Sequence, residues 1–460
     1  MENPLKNLFA VTDLRNRILF TLALLGVYRI GAHITVPGVN REAIAIFADQ
    51  FSQSPLGLYN VFTGGNLQNA TIFALGVMPY ISASIILQLL TVVWPYLERI
   101  SKEGELGRRK ITQYTRYLTL ALAIVQSAGI SFWLEQNTDL AGGLPLVSNP
   151  GIGFKLLCVL TLTTGTMFIM WLGEQITERG VGNGMSLLIF AGIIEYLPTG
   201  VFGLLNQLQT GQVSVLFAVA LVAFMVALIA AIVFVERAHR RITVQYAKRV
   251  VGRRQYGGAS THIPLKVNTG GVIPVIFASS ILAFAQMLPT IWPATQPVAD
   301  ELAYGMPLYA LLYVVGIIFF CYFYTAIIFN PDDVAENMRK YGGFIPGIRP
   351  GKRTAEYIDT ILSRITLVGS IYLAAVALLP ELLASGLNVG RIPFIGEDLD
   401  AVLPRWFTQG AFGVAFAFGG TSILIVVGVA MDTVQQVESQ LIMRHYDGFM
   451  KKTRIRGRRG

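Results

Sequence analysis

The chain has 460 residues, a formal net charge of +9, 53% hydrophobic and 14% charged residues, and a mean hydropathy of +0.56. Water-soluble domains carry about 25% charge, so the string of globular domains that this length would suggest is excluded. An excess of positive charge would suit a nucleic-acid binder, but here the basic residues are sorted along the chain in a way such a binder does not need.

Thirty-one of the 36 Lys and Arg residues lie in Met1–Arg17, Pro95–Arg116, Gly173–Gly184, Glu236–Lys266, Asn330–Arg364 and Val434–Gly460. Two apolar segments separate each neighbouring pair of these stretches. Loops rich in Lys and Arg stay on the cytoplasmic side during membrane insertion, so the alternation predicts a multi-span protein with both termini cytoplasmic.

A helix needs about 20 apolar residues to cross the hydrocarbon layer. In chain order the first candidate is Ile18–Val36, with Arg29 and His33 towards its outer end. It lacks a small-residue cleavage pattern and reads as a retained span, not a signal peptide. Gly57–Ala70 follows, too polar to span, and reads as a re-entrant piece, which is tolerated at membrane depth only when buried in protein or lining a cavity; the alternative is an ordinary outer loop. Ala70–Trp94, Tyr117–Leu134 and Ile152–Leu172 come next, the last with Lys155 able to snorkel. Met185–Leu197 is expected to be short, because Glu195 and Pro198 interrupt it. Val213–Val235, Gly270–Trp292, Leu308–Phe329, Ile365–Pro380 and Ala411–Met431 complete ten spans.

The predicted class is therefore all-α, a polytopic membrane protein of ten transmembrane helices in two inverted five-helix halves. The N-terminal half occupies 1–235, with the re-entrant piece at 57–70 and the sixth span from 213. A basic loop at 236–266 follows, then the rest of the C-terminal half at 267–433 with a second basic loop at 330–364, and a basic tail at 434–460.

The middle of the spans holds almost no ionisable residue, whereas ion-coupled carriers place such groups at the midplane. Neither a His-Glu-x-x-His zinc pattern nor a Gly-x-Ser-x-Gly elbow is present. His33, His239, His262 and His445 are scattered, and Cys158 and Cys321 sit in apolar runs as packing residues. Glu174 and Glu178 read as a solvated helix end beside Arg179. No catalytic residue, metal site or cofactor is expected. The small or polar-uncharged cluster Thr161, Thr163, Thr164, Gly165 and Thr166 suits close helix packing.

Longer strings then become recognisable. ALGVMPYISASII at 74–86, KEGELGRRKITQYTRY at 102–117 and MWLGEQITERG at 170–180 are followed by FVERAHRRI at 234–242, STHIPLKVN at 260–268, GIRPG at 347–351 and FGGTSILI at 418–425. Together, and collinearly over essentially the whole chain, they closely resemble bacterial SecY, the channel subunit of the general protein translocon.

The resemblance implies a non-enzymatic channel that moves unfolded secretory proteins across the cytoplasmic membrane and releases membrane proteins sideways into lipid. The alternative is an ion-coupled small-molecule secondary transporter. The resemblance further implies two halves around a central pore sealed by an apolar ring, here Val77, Ile81, Met185, Ile189, Ile276 and Ile425. Val77 and Met185 depart from the isoleucine common in the family. Gly57–Ala70 would be the plug, with Thr63, Gly64, Gly65 and Asn66 at its core, the glycines as its hinge, its polar face in a wet outer funnel and no strongly apolar anchor. Ser82 and Gln88 would lie along a lateral gate. Arg253, Arg254 and Arg349 would head the docking loops for the SecA motor and the ribosome, with ribosomal RNA phosphate as one possible contact. The implied partners also include the small subunits SecE and SecG, signal sequences, nascent chains and anionic lipids.

Overall fold

The computed structural model describes residues 12–40, 42–44, 60, 63–136, 145–211, 214–246, 249–251, 254–256, 260–303, 305–388, 390, 408 and 420–452. In chain order these form α1 (Thr12–Gly31), α2 (Met78–Val93), α3 (Pro95–Lys102), α4 (Glu105–Gln136), α5 (Ile152–Arg179), α6 (Gly184–Gln209) and α7 (Val215–Arg237). The strands β1 (His239–Tyr246), β2 (Arg249–Val251), β3 (Arg254–Tyr256) and β4 (Ser260–Lys266) come next. Then follow α8 (Ile273–Ile291), α9 (Gln296–Glu301), α10 (Pro307–Ile328), α11 (Pro331–Lys340), β5 (Gly343–Phe344), α12 (Lys352–Ser385) and α13 (Gly420–Lys452). Two compact units emerge: Met1–Val201 with Ala283–Asp300 and Val429–Gly460, and Phe202–Leu282 with Glu301–Gly428.

Each of the ten expected segments holds a helix. Among the described residues seven helices are long and apolar enough to cross a membrane, or eight if α2 and α3, which meet at a 99° bend, count as one broken span. Among the others, α1 carries Arg15, Arg17 and Arg29, and the apolar part of α8 covers only Ile273–Gln286. Residues 411–419 of the last expected span lie outside the described residues.

Two span boundaries differ from expectation. The segment Ala70–Trp94 is helical only from Met78, because residues 70–77 form turns that bond elsewhere. The Val36 amide donates to the Ala70 carbonyl and the Ile72 amide to the Ile34 carbonyl, both at 2.9 Å. Those bonds divert the backbone from a helical ladder, and Ala70 and Gly76 adopt positive φ of 41° and 56°. Met185–Leu197 proves to be part of a 26-residue helix that continues through Glu195 and Pro198. The carboxylate is tolerated there because Arg29 of α1 pairs with it.

In the first unit, small side chains bring α4, α5 and the turn before α2 together. Gly165 of α5 faces the Ile72 backbone so closely that no Cβ would fit. Ser127 and Thr163 share a hydrogen bond of 3.3 Å between α4 and α5. Thr163 and Thr166 are buried, whereas Thr164 faces outward and donates to the Leu160 carbonyl. The threonine cluster is thus split between a packing face and an outer face. Cys158 is buried on the same helix.

In the second unit the basic stretch 236–266 is not a plain loop. It folds as an antiparallel hairpin, with β1 pairing β4 from His239↔Lys266 to Gln245↔Ser260. β1 also pairs β5 of the other basic stretch through Gln245↔Phe344 and Tyr246↔Gly343. Ile242 and Val244 point inward, alternating with outward Arg241, Thr243 and Gln245, the period of two that a half-buried strand requires. They meet Leu265, Met338, Ile345 and Ile358 in one apolar cluster. α11 closes the cluster, started by Asn330, whose side chain accepts from the Asp332 amide, with Pro331 in its first turn. Two small sheets thus interrupt an otherwise helical chain.

Candidate pore, plug and docking loops

The expected plug residues Thr63, Gly64, Gly65 and Asn66 sit inside the first unit, on a seat built by α1, α6 and the turn before α2. Thr63 and Asn66 are 0% and 1% exposed. Tyr28 of α1 approaches from one side: the Asn66 amide donates to its hydroxyl at 3.1 Å, and that hydroxyl donates to the Thr63 carbonyl at 3.4 Å. Asn66 also donates to the Thr63 carbonyl, and Thr71 to the Asn66 carbonyl. On another side Gly64 meets Gly192 of α6. A Cβ on Gly64 would stand 2.6 Å from the Gly192 Cα. Gly64 and Gly65 both adopt left-handed φ, 69° and 77°, where a side chain is strained.

Two expectations for this piece need correction. Most of its polar side chains do not face a wet funnel: Asn60, Thr63 and Asn66 turn inward, Asn60 pairing with Gln68, Thr63 donating to the Asn60 carbonyl and Asn66 donating to Tyr28, while Asn69 stays exposed. It also has an apolar anchor, since Leu67 and Ala70 line a small cavity with Val36, Ala74, Ile130, Leu134 and Leu162. The reason is the cost of burying polar groups, which is offset only when each finds a partner. Of the described residues, 60 and 63 are helical and 64–70 form turns. Residues 57–59, 61 and 62 of the expected plug lie outside the described residues.

All six expected ring residues are buried. In the first unit Val77 caps α2 and Ile81 follows one turn later, its amide bonded to the Val77 carbonyl. Met185 and Ile189 are four apart, on one face of α6. The Met185 thioether packs on Gly173 of α5, so helix contact accounts for part of its burial. In the second unit Ile276 lies one turn after Val272, and Ile425 three residues before Gly428. Gly428 abuts the Val272 side chain, so α13 and the start of α8 touch near both isoleucines.

Of the gate candidates on α2, Ser82 is half-buried, and Gln88 donates to Ser84 at 3.3 Å. The Gln88 Oε1 is buried and has no hydrogen-bond partner among the described residues. Glu174 is not the solvated helix end that its sequence suggests. It accepts two hydrogen bonds from Arg116 of α4, at 2.8 and 2.9 Å, and ties α4 to α5. At the other ends of these helices Lys155 pairs with Glu135 at 3.0 Å.

The docking residues are unevenly placed. Arg349 is exposed in a turn whose frame is fixed: Ile348 donates to the Ile345 carbonyl at 3.1 Å and Thr354 to the Arg349 carbonyl at 2.9 Å. Arg254 lies on β3, opposite Val251. Arg253 lies outside the described residues. Sequence reading missed the seat residues Tyr28, Phe73 and Gly192. An Arg and a Glu inside two otherwise apolar spans were the available signal that α1 and α6 meet.

No group of three or more His, Cys, Asp or Glu suited to a metal occurs among the described residues. The sequence profile of the SecY family matches residues 71–434. A protein translocase subunit SecY of Escherichia coli K12 is 48% identical over 453 residues, covering 97% of this chain and 96% of that protein. Its counterpart in Aquifex aeolicus is 44% identical over 455 residues, covering 98% and 100%. Among solved structures, a protein-conducting channel aligns with a TM-score of 0.59 at 18% identity over 92% of each chain. Sec61 in a canine ribosome–channel complex aligns at 0.58 and 17%, again over 92% of each. At such identities the structural likeness speaks to fold alone, and the sequence matches carry the family.

Proposed function

The chain belongs to the SecY family, and on that premise we propose how its parts work in the protein translocase. It is the channel subunit, and it is not an enzyme. The single observation that carries this is the family match across nearly the whole chain, which leaves no support for a small-molecule transporter. Its substrates are unfolded secretory chains, which cross the membrane, and the helices of membrane proteins, which leave sideways into lipid. The Lys and Arg distribution supports a place in a bacterial cytoplasmic membrane with both termini cytoplasmic.

Val77, Ile81, Met185, Ile189, Ile276 and Ile425 form the waist of the pore. Support comes from their burial and their lack of any polar atom beyond a thioether. A narrow apolar constriction dewets and stops ions, yet offers a passing chain no polar group to hold. Thr63–Asn66 is the plug that closes this pore at rest. Ser82 and Gln88 border the lateral gate, and the unpaired Gln88 oxygen is an acceptor available to a helix entering there.

The hairpin and the Arg349 turn form one docking surface, on which Arg253, Arg254 and Arg349 meet SecA or the ribosome. SecE, SecG, signal sequences, nascent chains and anionic lipids complete the set of partners. The chain contains no Walker-type phosphate loop, so the driving energy is external.

The test is reconstitution in vesicles with SecE, SecG, SecA, ATP and a signal-bearing precursor. The precursor should become protease-protected in an ATP-dependent way. Failure to protect it under conditions where the Escherichia coli relative succeeds would overturn the reading. For the waist, Ile276→Asn and Ile425→Asn should each raise the resting ion conductance. Unchanged conductance in both would remove these two residues from the ring.

A further inference from the structure

The plug seat is completed by an ion pair between two otherwise apolar spans. Arg29 of α1 reaches α6, where its guanidinium pairs with the Glu195 carboxylate and donates to the Ala191 carbonyl. Both side chains are only partly exposed, at 28% and 39%. Ionisable residues inside spans are costly and face protein or a wet cavity, where they mark functional places.

Its position is what matters. Arg29 directly follows Tyr28, the residue that bonds Thr63 and Asn66. Ala191 directly precedes Gly192, the residue on which Gly64 rests. The guanidinium also lies 5.8 Å above the Tyr28 ring, whose other contacts include Phe73, stacked at 5.7 Å. One side chain thus joins the two helices at the level where each of them touches the plug. A guanidinium suits this role, because its fixed fork can hold a carboxylate and a carbonyl together, which the point charge of a lysine cannot match.

We infer that the Arg29–Glu195 pair is a clasp that sets the spacing of α1 and α6 and so holds the plug closed, making both of them positioning residues for channel gating. The inference rests on the reading of Thr63–Asn66 as the plug. Loosening the clasp lets Tyr28 and Gly192 draw apart, and the plug loses its hydrogen bonds and its glycine contact together.

The experiment compares Arg29→Gln, Glu195→Gln, Arg29→Lys and the charge swap Arg29→Glu/Glu195→Arg, each assembled with SecE and SecG in planar bilayers without precursor. Asn66→Leu, which cuts the plug's own bonds to Tyr28, serves as the plug control. Resting conductance per channel and the maleimide labelling rate of a cysteine at Thr63, a fully buried position, are read together.

Both neutral variants should raise resting conductance and labelling about tenfold, a shift of about 1.4 kcal/mol in the closed–open balance. Arg29→Lys should fall between, and the swap should return both readings towards wild type at unchanged thermal stability. A tight channel in both neutral variants, alongside a leaky Asn66→Leu, overturns the clasp and leaves the plug standing. Leak that the swap fails to relieve assigns the effect to helix damage and also overturns it. Tight channels throughout, the plug control included, remove the plug reading and the clasp with it.

Discussion

The seat around Thr63–Asn66 and the basic sheet are held by different means. The seat, in the first unit, combines side-chain hydrogen bonds among Tyr28, Thr63, Asn66 and Thr71 with one glycine-to-glycine contact and the small apolar anchor of Leu67 and Ala70. The sheet, in the second unit, relies on a ladder of seven residue pairs and an apolar cluster of Ile242, Val244, Leu265, Met338, Ile345 and Ile358. A hydrogen bond contributes a net ~1 kcal/mol and can be exchanged for water when the group moves. Apolar burial has no such substitute, at about 1.5–3 kcal/mol for each large side chain. On the proposal that Thr63–Asn66 is the plug, the seat is suited to be left, and the sheet to stay together when something pushes on it.

The largest effect should come from the sheet. Ile358→Ala removes a side chain that is 1% exposed in the cluster, which should cost about 2–4 kcal/mol. Limited proteolysis of the assembled complex should show earlier cleavage within 236–266 and 330–351 together, because β1 joins both stretches. Cleavage confined to one stretch would break the claim that they form one body.

A smaller effect is expected at the seat. Gly64→Ala places a Cβ against Gly192 at a left-handed φ, with a cost of roughly 1–3 kcal/mol that falls on the closed state alone. Resting conductance should rise while thermal stability of the complex hardly moves. A stability loss as large as that of Ile358→Ala would show that the seat is structural core and would erase the contrast.

The smallest change in stability belongs to Arg349→Glu, at most ~0.5 kcal/mol for an exposed site. SecA-driven precursor transport should nevertheless drop sharply, with membrane insertion of the subunit unaffected. Full transport by this variant would detach Arg349 from the docking surface.

The helices were legible because apolar runs and sorted charge report directly on what the bilayer demands. Even the broken one at Ala70–Trp94 was correctly placed, though its start was not, since the turns at 70–77 depend on bonds to Ile34 and Val36 that lie far off in sequence. The hairpin was missed although Ile242-x-Val244 and Ile263-x-Leu265 alternate as strands do. Dense basic residues at 240, 241, 248 and 249 drew the eye to topology instead of period. Gly57–Ala70 stood out from the spans by its polarity, but its polarity also misled. Asn60, Thr63 and Asn66 look solvent-seeking in a string and are satisfied internally in three dimensions. The seat was illegible for the same reason: Tyr28, Phe73 and Gly192 are ordinary span residues until the chain brings them together.

The central claim is that the plug moves during transport while the sheet does not. Single cysteines at Thr63 and Val244, both buried at rest at 0% and 1% exposure, test this in one assay, introduced after Cys158 and Cys321 are replaced by serine. Maleimide labelling is measured in idle vesicles and again with a precursor stalled in the channel. Labelling at 63 should rise at least about tenfold with the stalled precursor, and labelling at 244 should stay at its idle rate. Equal rates at 63 in both conditions, or a matching rise at 244, would contradict the account.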